Sequence, residues 1–150
     1  MNLHIISSIN HCQFIKSSLA SNRLRLSFLY NAALQLGLKV TSGLSIPENP
    51  CLFYVGKITK DIDEKNILNV IHKLNNNKSL ILVDYTDDWL DADDGKIKRI
   101  YEKLMKVNST VIVPINGLKE KLNKIGKETL VIPDAIDSIS TIEPRNKNNK

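Results

Sequence analysis

The chain has 150 residues, which suits a single domain that buries a hydrophobic core without disulfide bonds. Hydrophobic residues make up 42% of it and charged residues 25%, values that exclude a wholly disordered chain. The formal net charge is +5, and no apolar run approaches the roughly 20 residues that a membrane-spanning helix needs.

The N-terminus and the cysteines indicate a cytoplasmic protein. Residues 1–6 lack the basic start and long apolar stretch of a signal peptide. Cys12 and Cys51 stand in no metal or redox spacing, so we expect two reduced thiols. The positive charge favours anionic partners. Because Lys and Asn are abundant throughout, biased composition is the simpler explanation, and peripheral contact with the inner membrane face stays open.

The first predicted elements are a strand at 3–6, a polar loop and a helix at 21–36. Ser21 suits the helix N-cap and Gly37 its end. The helix is apolar on most sides, so we expect it to be well buried. These apolar positions are Leu24, Leu26, Phe28, Leu29, Ala32, Ala33 and Leu36.

Strands alternate with helices along the rest of the chain. Further apolar runs predict strands at 38–41, 52–55, 80–83, 110–113 and 130–132. A helix at 61–74 starts with the capping-box-like pair Asp61 and Glu64, another contains Ile97 to Leu104, and Asn116 suits the cap of a third. This order predicts a Rossmann-like three-layer α/β/α sandwich with a mainly parallel sheet of about six strands. The domain would cover 1–137, and 138–150 would be a polar linker or tail.

Ligands of open α/β sheets bind at the carboxyl ends of the strands, which directs attention to three segments. The loop after the first strand contains His11 and leads to a helix start that attracts anions. It has neither a G-x-G-x-x-G nor a Walker A pattern. Another of the three segments is the strand-to-helix turn at 113–117, which contains Asn116. His4 is expected to be structural and His72 half exposed.

The second segment, 84–94, holds six carboxylates in an otherwise basic chain. Clustered carboxylates repel one another, a cost that a cation, a basic partner or a role as a base would offset. We expect Asp91, Asp93 and Asp94 to cap the next helix. The candidates for a functional role are Asp84, Asp87 and Asp88, which lie closest to the strand end. Trp89 is expected to belong to the core.

Four stretches in sequence order resemble the N-terminal domain of GT-B type glycosyltransferases. They are the loop-to-helix segment 21–37, the strand with an acidic end 83–88 (VDYTDD), the strand-turn-helix 110–118 (TVIVPINGL) and the signature 131–137 (VIPDAID). In this family the last stretch lies where the chain crosses into a second domain. The resemblance covers nearly the whole chain, although the Gly-rich loop often found after the first strand is absent.

The resemblance implies transfer of a sugar from a nucleotide-sugar to an acceptor. The N-terminal domain of the family mainly binds the acceptor, and the second domain binds the donor. Asp87 or Asp88, or else His11, would take the proton of the acceptor hydroxyl. Neither a protein-bound metal nor a cofactor beyond the nucleotide-sugar co-substrate is implied. Without a donor-binding domain or partner chain, the protein is expected to be inactive. The residues expected to hold an anionic acceptor or the donor phosphates are Lys16, Arg23, Arg25 and Asn116.

Two non-catalytic alternatives stay open. In a receiver-like signalling domain, Asp84 would accept a phosphoryl group. Such a domain also needs an acidic pair after the first strand, where this chain has Ser7, Ser8 and Asn10, and a later Lys, where it has Pro114. Alternatively, an anion-binding module would use the basic surface and the Lys-rich tail on a membrane. Nucleic acid is not an expected partner because the chain lacks an RNA-binding aromatic signature.

Overall fold

A computed structural model describes residues 2–49, 52–91 and 95–133. Its centre is one six-stranded sheet in the order β2-β1-β3-β4-β5-β6. Every neighbouring pair is parallel, and helices pack on both faces. The prediction of a Rossmann-like α/β fold with a parallel sheet is confirmed.

The described elements follow the predicted alternation closely. The strands are β1 (Asn2–Ile6), β2 (Lys39–Gly43), β3 (Leu52–Val55), β4 (Ile81–Asp84), β5 (Thr110–Val113) and β6 (Thr129–Val131). The α-helices are α1 (Ser27–Gln35), α2 (Glu64–Asn75), α3 (Gly95–Leu104) and α4 (Asn116–Lys124). A short 3-10 helix (His11–Gln13) lies in the loop after β1, and a π-helical segment (Asn22–Leu26) leads into α1.

The direction of each crossover explains which face of the sheet each helix covers. From β1 the chain moves outward to β2, whereas from β3 it moves step by step in the other direction to β6. Because β-α-β crossovers are right-handed, α1 lies on one face and α2, α3 and α4 lie on the other. The reversal between β1 and β3 is the point of an open α/β sheet where ligands usually bind.

The two faces hold two separate hydrophobic clusters. The larger one joins α2, α3 and α4 to inward side chains such as Phe53, Val83 and Val111. The smaller one joins α1 to Leu3, Ile5, Tyr54 and Ile112. Because three helices pack on the first face and one packs on the second, the hydrophobic cluster on the first face is the larger one.

The predicted helix ends proved partly right. Gly37 ends its helix as predicted, with a positive φ angle of 73° that glycine adopts readily, and Gly126, with 76°, follows the end of α4 in the same way. Three N-terminal predictions were wrong. Ser21 makes no side-chain cap. Asp63, not Asp61, caps α2 by accepting a hydrogen bond of 2.7 Å from the Asn66 N–H. Asn116 is the first residue of α4 rather than its cap.

The prediction that the helix before Gly37 is well buried was also wrong. Within α1 only Ser27 and Ala33 are buried, and Phe28 is 62% exposed. The physical reason is the uneven coverage of the sheet. Phe28 points toward the part of the sheet beyond α1, where none of the described helices packs.

Candidate functional site

A recess of about 220 Å³ lies at the carboxyl ends of β3 and β4, beneath the start of the helical segment that leads into α1. Parallel strands bring this edge together from residues that are far apart in sequence. Gly56, directly after β3, lets the helical segment come close, since a Cβ atom there would lie 3.0 Å from Leu26 Cδ2. The residues that line the recess are Ala20, Ser21, Leu24, Arg25, Lys57, Thr86 and Asp87.

Arg25 forms one wall of the recess and is held by Asp84, the last residue of β4. The Nε and Nη2 atoms of Arg25 donate to the two carboxylate oxygens at 2.8 and 2.6 Å. The side chains are only 9% and 1% exposed. Two parallel hydrogen bonds in a buried setting fix the guanidinium rigidly. Burial raises the pKa of the adjacent Tyr54 hydroxyl, and the negative charge of Asp84 adds to that rise.

This environment argues against a phosphoryl group on Asp84. A phosphoacceptor needs at least one carboxylate oxygen that can reach a phosphodonor. Both oxygens of Asp84 bind Arg25, and the side chain is 1% exposed. The same residue is therefore suited to hold the position of Arg25.

Asp87 and Lys57 form the open, polar side of the recess. Lys57 Nζ lies 2.6 Å from Asp87 Oδ2, and the two side chains are 27% and 50% exposed. The Thr86 hydroxyl donates to the same carboxylate at 3.2 Å. Partly exposed ion pairs are weak because water competes for both partners. A polar ligand in the recess could therefore replace either contact.

Asp88 belongs to a different group of side chains, on the side of α4. Lys121 Nζ contacts its two oxygens at 2.8 and 2.7 Å and also contacts Asp91 at 2.5 Å. Tyr85 lies beneath, donating to Asp88 at 3.1 Å and accepting from the Leu90 N–H at 2.9 Å. Asp91 was predicted to cap the next helix but binds Lys121 instead. Asp93 and Asp94 lie outside the described residues.

Three further candidates, Lys16, Arg23 and Asn116, do not line the recess. Arg23 Nη1 donates to the carbonyls of Ser17 and Ser18 at 2.8 and 3.0 Å. Lys16 is exposed. His11 begins the 3-10 helix, and its side chain lies outside the described residues. Asn116 is exposed at the start of α4 and does not line the recess.

Of the residues predicted to form a site, the structure thus brings Arg25 and Asp87 together. Lys57 and Lys121, which each contact a predicted acidic residue, were not predicted. A usable signal for Lys57 was its position two residues after β3, at the same sheet edge as Asp87. Lys121 gave no such signal, because its contact depends on the packing of α4.

Two further features were sought in the described residues: a metal site and a membrane-spanning helix. Within 2–49, 52–91 and 95–133, no group of three His, Cys, Asp or Glu side chains is placed to hold a metal ion. The helices described there are all too short or too polar to cross a membrane. Comparisons with protein-family models, curated proteins and solved structures gave no match.

Proposed function

We propose that this domain is the acceptor-binding half of a glycosyltransferase that moves a sugar from a nucleotide-sugar to an acceptor. The observation that carries the proposal is the recess at the carboxyl edge, where Arg25, Lys57 and Asp87 line one cavity. The resemblance of the sequence to the N-terminal domain of GT-B enzymes supplies the reaction. A second domain, or a partner chain, would bind most of the donor.

The chemistry of the recess suits a polyhydroxylated acceptor. Its lining combines hydroxyl groups of Ser21 and Thr86 with the partly exposed Lys57–Asp87 pair. Such groups can both donate to and accept from sugar hydroxyls. An acceptor hydroxyl that replaces Lys57 at Asp87 would stand within hydrogen-bond distance of a carboxylate. Asp87 could then take its proton as the bond to the transferred sugar forms.

Arg25 would keep a fixed position in the wall of the recess, because Asp84 holds its guanidinium through two hydrogen bonds. We propose that Arg25 contacts an anionic acceptor or the donor phosphates from this position. Asp88, Arg23, Lys16 and Asn116 stay candidates outside the recess, and His11 stays a candidate whose side chain lies outside the described residues. We place the protein in the cytoplasm, with contact to the anionic inner membrane face as part of the proposal.

A direct test is NMR mapping of the chain with a panel of mono- and disaccharides. We expect shifts that centre on the amides of Ser21, Lys57, Thr86 and Asp87. Asp87→Asn should weaken binding about tenfold, because a hydrogen bond to a charged group contributes roughly 1.5–3 kcal/mol. Glu120→Gln is the control, since Glu120 is an exposed carboxylate on α4 that does not line the recess, and should bind normally.

Two outcomes would contradict the proposal. One is the absence of shifts at the recess with every saccharide. The other is that inorganic phosphate or pyrophosphate binds there more tightly than any sugar and is insensitive to Asp87→Asn. That second result would favour a non-catalytic anion-binding module.

A further inference from the structure

An apolar groove of about 360 Å³ lies between α1 and the sheet, on the face that carries only one described helix. One wall is formed by α1 residues such as Phe28, and the floor by strand residues such as Leu82 and Ile112. Small-molecule sites have volumes in this range, and most are apolar with a few polar groups. The groove therefore has the size and the lining of a ligand site.

The groove has an architectural cause. The three crossovers that lead from β3 to β6 place their helices on the opposite face, so no described helix covers this side of β4, β5 and β6. Large apolar side chains around it stay in contact with water, among them Phe28 at 62% and Ile132 at 49% exposed. An apolar surface of this kind on a domain usually marks a binding surface.

The groove and the recess at the carboxyl edge share a wall. Leu24 and Arg25, in the π-helical segment before α1, line both cavities. Of the described residues that line the groove, Arg25 and Tyr54 are the ones with polar side-chain atoms. The Tyr54 hydroxyl lies beside Asp84 and Arg25. The polar atoms of the groove therefore lie together, next to the recess.

The two cavities differ in chemistry on either side of this wall. The recess is polar, with the Lys57–Asp87 ion pair on its open side, whereas the groove is lined mainly by aliphatic and aromatic carbon. Arg25 stands between them in a fixed position, because Asp84 binds it through two hydrogen bonds. A ligand that fills both cavities needs a polar part and an apolar part that are joined near Arg25.

We propose that the acceptor is an amphiphile, with its hydroxylated head in the recess and its hydrocarbon chain in the groove. The inference rests on the proposed function, because it takes the recess as the acceptor site. A free sugar would leave the apolar surface around Phe28 in water. A hydrocarbon chain would cover that surface and would itself leave water, and the free energy of binding would grow with each buried methylene.

The test is an NMR titration of the full chain with methyl, hexyl and octyl β-glucoside, each below the concentration at which it forms micelles. We expect octyl glucoside to bind about tenfold more tightly than hexyl glucoside, because two more methylenes leave water. All three compounds should shift amides at the recess, such as those of Lys57 and Asp87. The two longer compounds should also shift amides along the groove, at Phe28, Leu29 and Ala32.

Variants separate the contribution of the chain from that of the head. Phe28→Asp places a charge in the groove wall, and it should remove the gain from hexyl to octyl while leaving methyl glucoside binding unchanged. Leu34→Asp, on the same helix, 47% exposed and outside the groove, is the matched control and should keep the full gain. Asp87→Asn should weaken binding of all three glucosides by the same factor, because the head is common to them.

Three outcomes would overturn the inference, and they differ in what they mean for the proposed function. Equal affinity for the three glucosides, with shifts at the recess alone, would leave a sugar acceptor that has no apolar chain. The absence of shifts at the recess with every glucoside, whether or not octyl glucoside shifts the groove, would contradict the proposed function as well. A dimeric mass that Phe28→Asp converts to a monomer would assign the groove to a second copy of the chain.

Discussion

Asp84 and Asp88 stand four positions apart in one acidic segment, yet the fold gives them opposite environments. Asp84 ends β4 on the face below α1, where its side chain is 1% exposed and both oxygens bind Arg25. Asp88 lies in the turn beyond, 41% exposed, next to a partly exposed Lys121. Both carboxylates contact a cationic side chain, an arginine at Asp84 and a lysine at Asp88, and their exposure to solvent differs widely.

The difference shows which of the two groups can exchange partners. A charge buried with Arg25 has no water to replace its partner, so separating the pair would leave an uncompensated charge in the interior. An exposed carboxylate can exchange its lysine partner for water or a ligand with little change in free energy. The buried pair therefore acts as scaffold, and the exposed acids, Asp87 among them, are the ones that a ligand can engage.

The largest expected effect comes from breaking the buried pair. Asp84→Asn keeps the shape of the side chain but leaves the Arg25 charge without a counterion. We expect the free energy of unfolding to fall by about 3–5 kcal/mol, measured by urea denaturation. Asp87→Asn, at a 50% exposed site, is the control and should change it little.

The double variant Arg25→Met with Asp84→Leu tests whether the loss of stability comes from an unpaired buried charge. Replacing both charges by apolar side chains of similar size removes the desolvation cost, so stability should recover most of the loss. If Asp84→Asn were as stable as the parent chain, the contrast between the buried and the exposed carboxylates would fail.

A smaller effect is expected at Tyr85, whose ring is buried and whose hydroxyl contacts the partly exposed Asp88. Its ring is buried against Tyr101, with ring centroids 5.2 Å apart, and its hydroxyl joins Asp88 to the Leu90 N–H. Tyr85→Phe removes the acceptor for that N–H, and we expect a loss of about 1 kcal/mol.

Hydrogen exchange of single amides distinguishes a local effect from general loosening. In Tyr85→Phe the Leu90 amide should exchange faster. The Ile58 amide, which donates to the Tyr101 hydroxyl at 3.2 Å, serves as an internal reference and should keep its rate. Equal acceleration of both amides would mean that Tyr85 acts through the core rather than through its hydroxyl.

The order of elements could be predicted because each one carries its own local signal. The apolar run before Asp84 predicts a buried strand, and the periodicity of Ile67, Val70, Ile71 and Leu74 predicts α2, where all four are buried. Helix starts were less predictable. Two acidic residues, Asp61 and Asp63, stand close enough to α2 to cap it, and backbone geometry selects the second.

The site was harder to predict, because its contacts join distant parts of the chain. Arg25 and Asp84 are 59 positions apart, and nothing local in either segment identifies the other as a partner. A general rule still applies to Asp84, because a carboxylate at the end of a buried apolar strand is usually paired with a cation. Arg25 lies in a predicted helix that is apolar on most sides, which makes it a possible partner. Asp87 and Asp88 lie beyond the strand, in the turn, where water can solvate them.

The smallest expected effect lies at the exposed end of the segment, at Lys121. The hydrogen bond from Lys121 lowers the pKa of the Asp91 carboxyl, and the positive charge of the lysine adds to this. Because the lysine favours the ionised form, Lys121→Met should raise the pKa of Asp91 toward its ordinary value. An NMR titration of the carboxyl carbon measures this shift, with Lys124→Met at the end of α4 as the control.

The free energy of unfolding should hardly change, because these groups remain hydrated in the folded chain. If the pKa of Asp91 did not change in Lys121→Met, the lysine would be in solvent rather than in contact with Asp91. If the variant lost much stability, solvent exposure would not explain why the ion pair of Asp84 matters more for stability than those of the exposed acids.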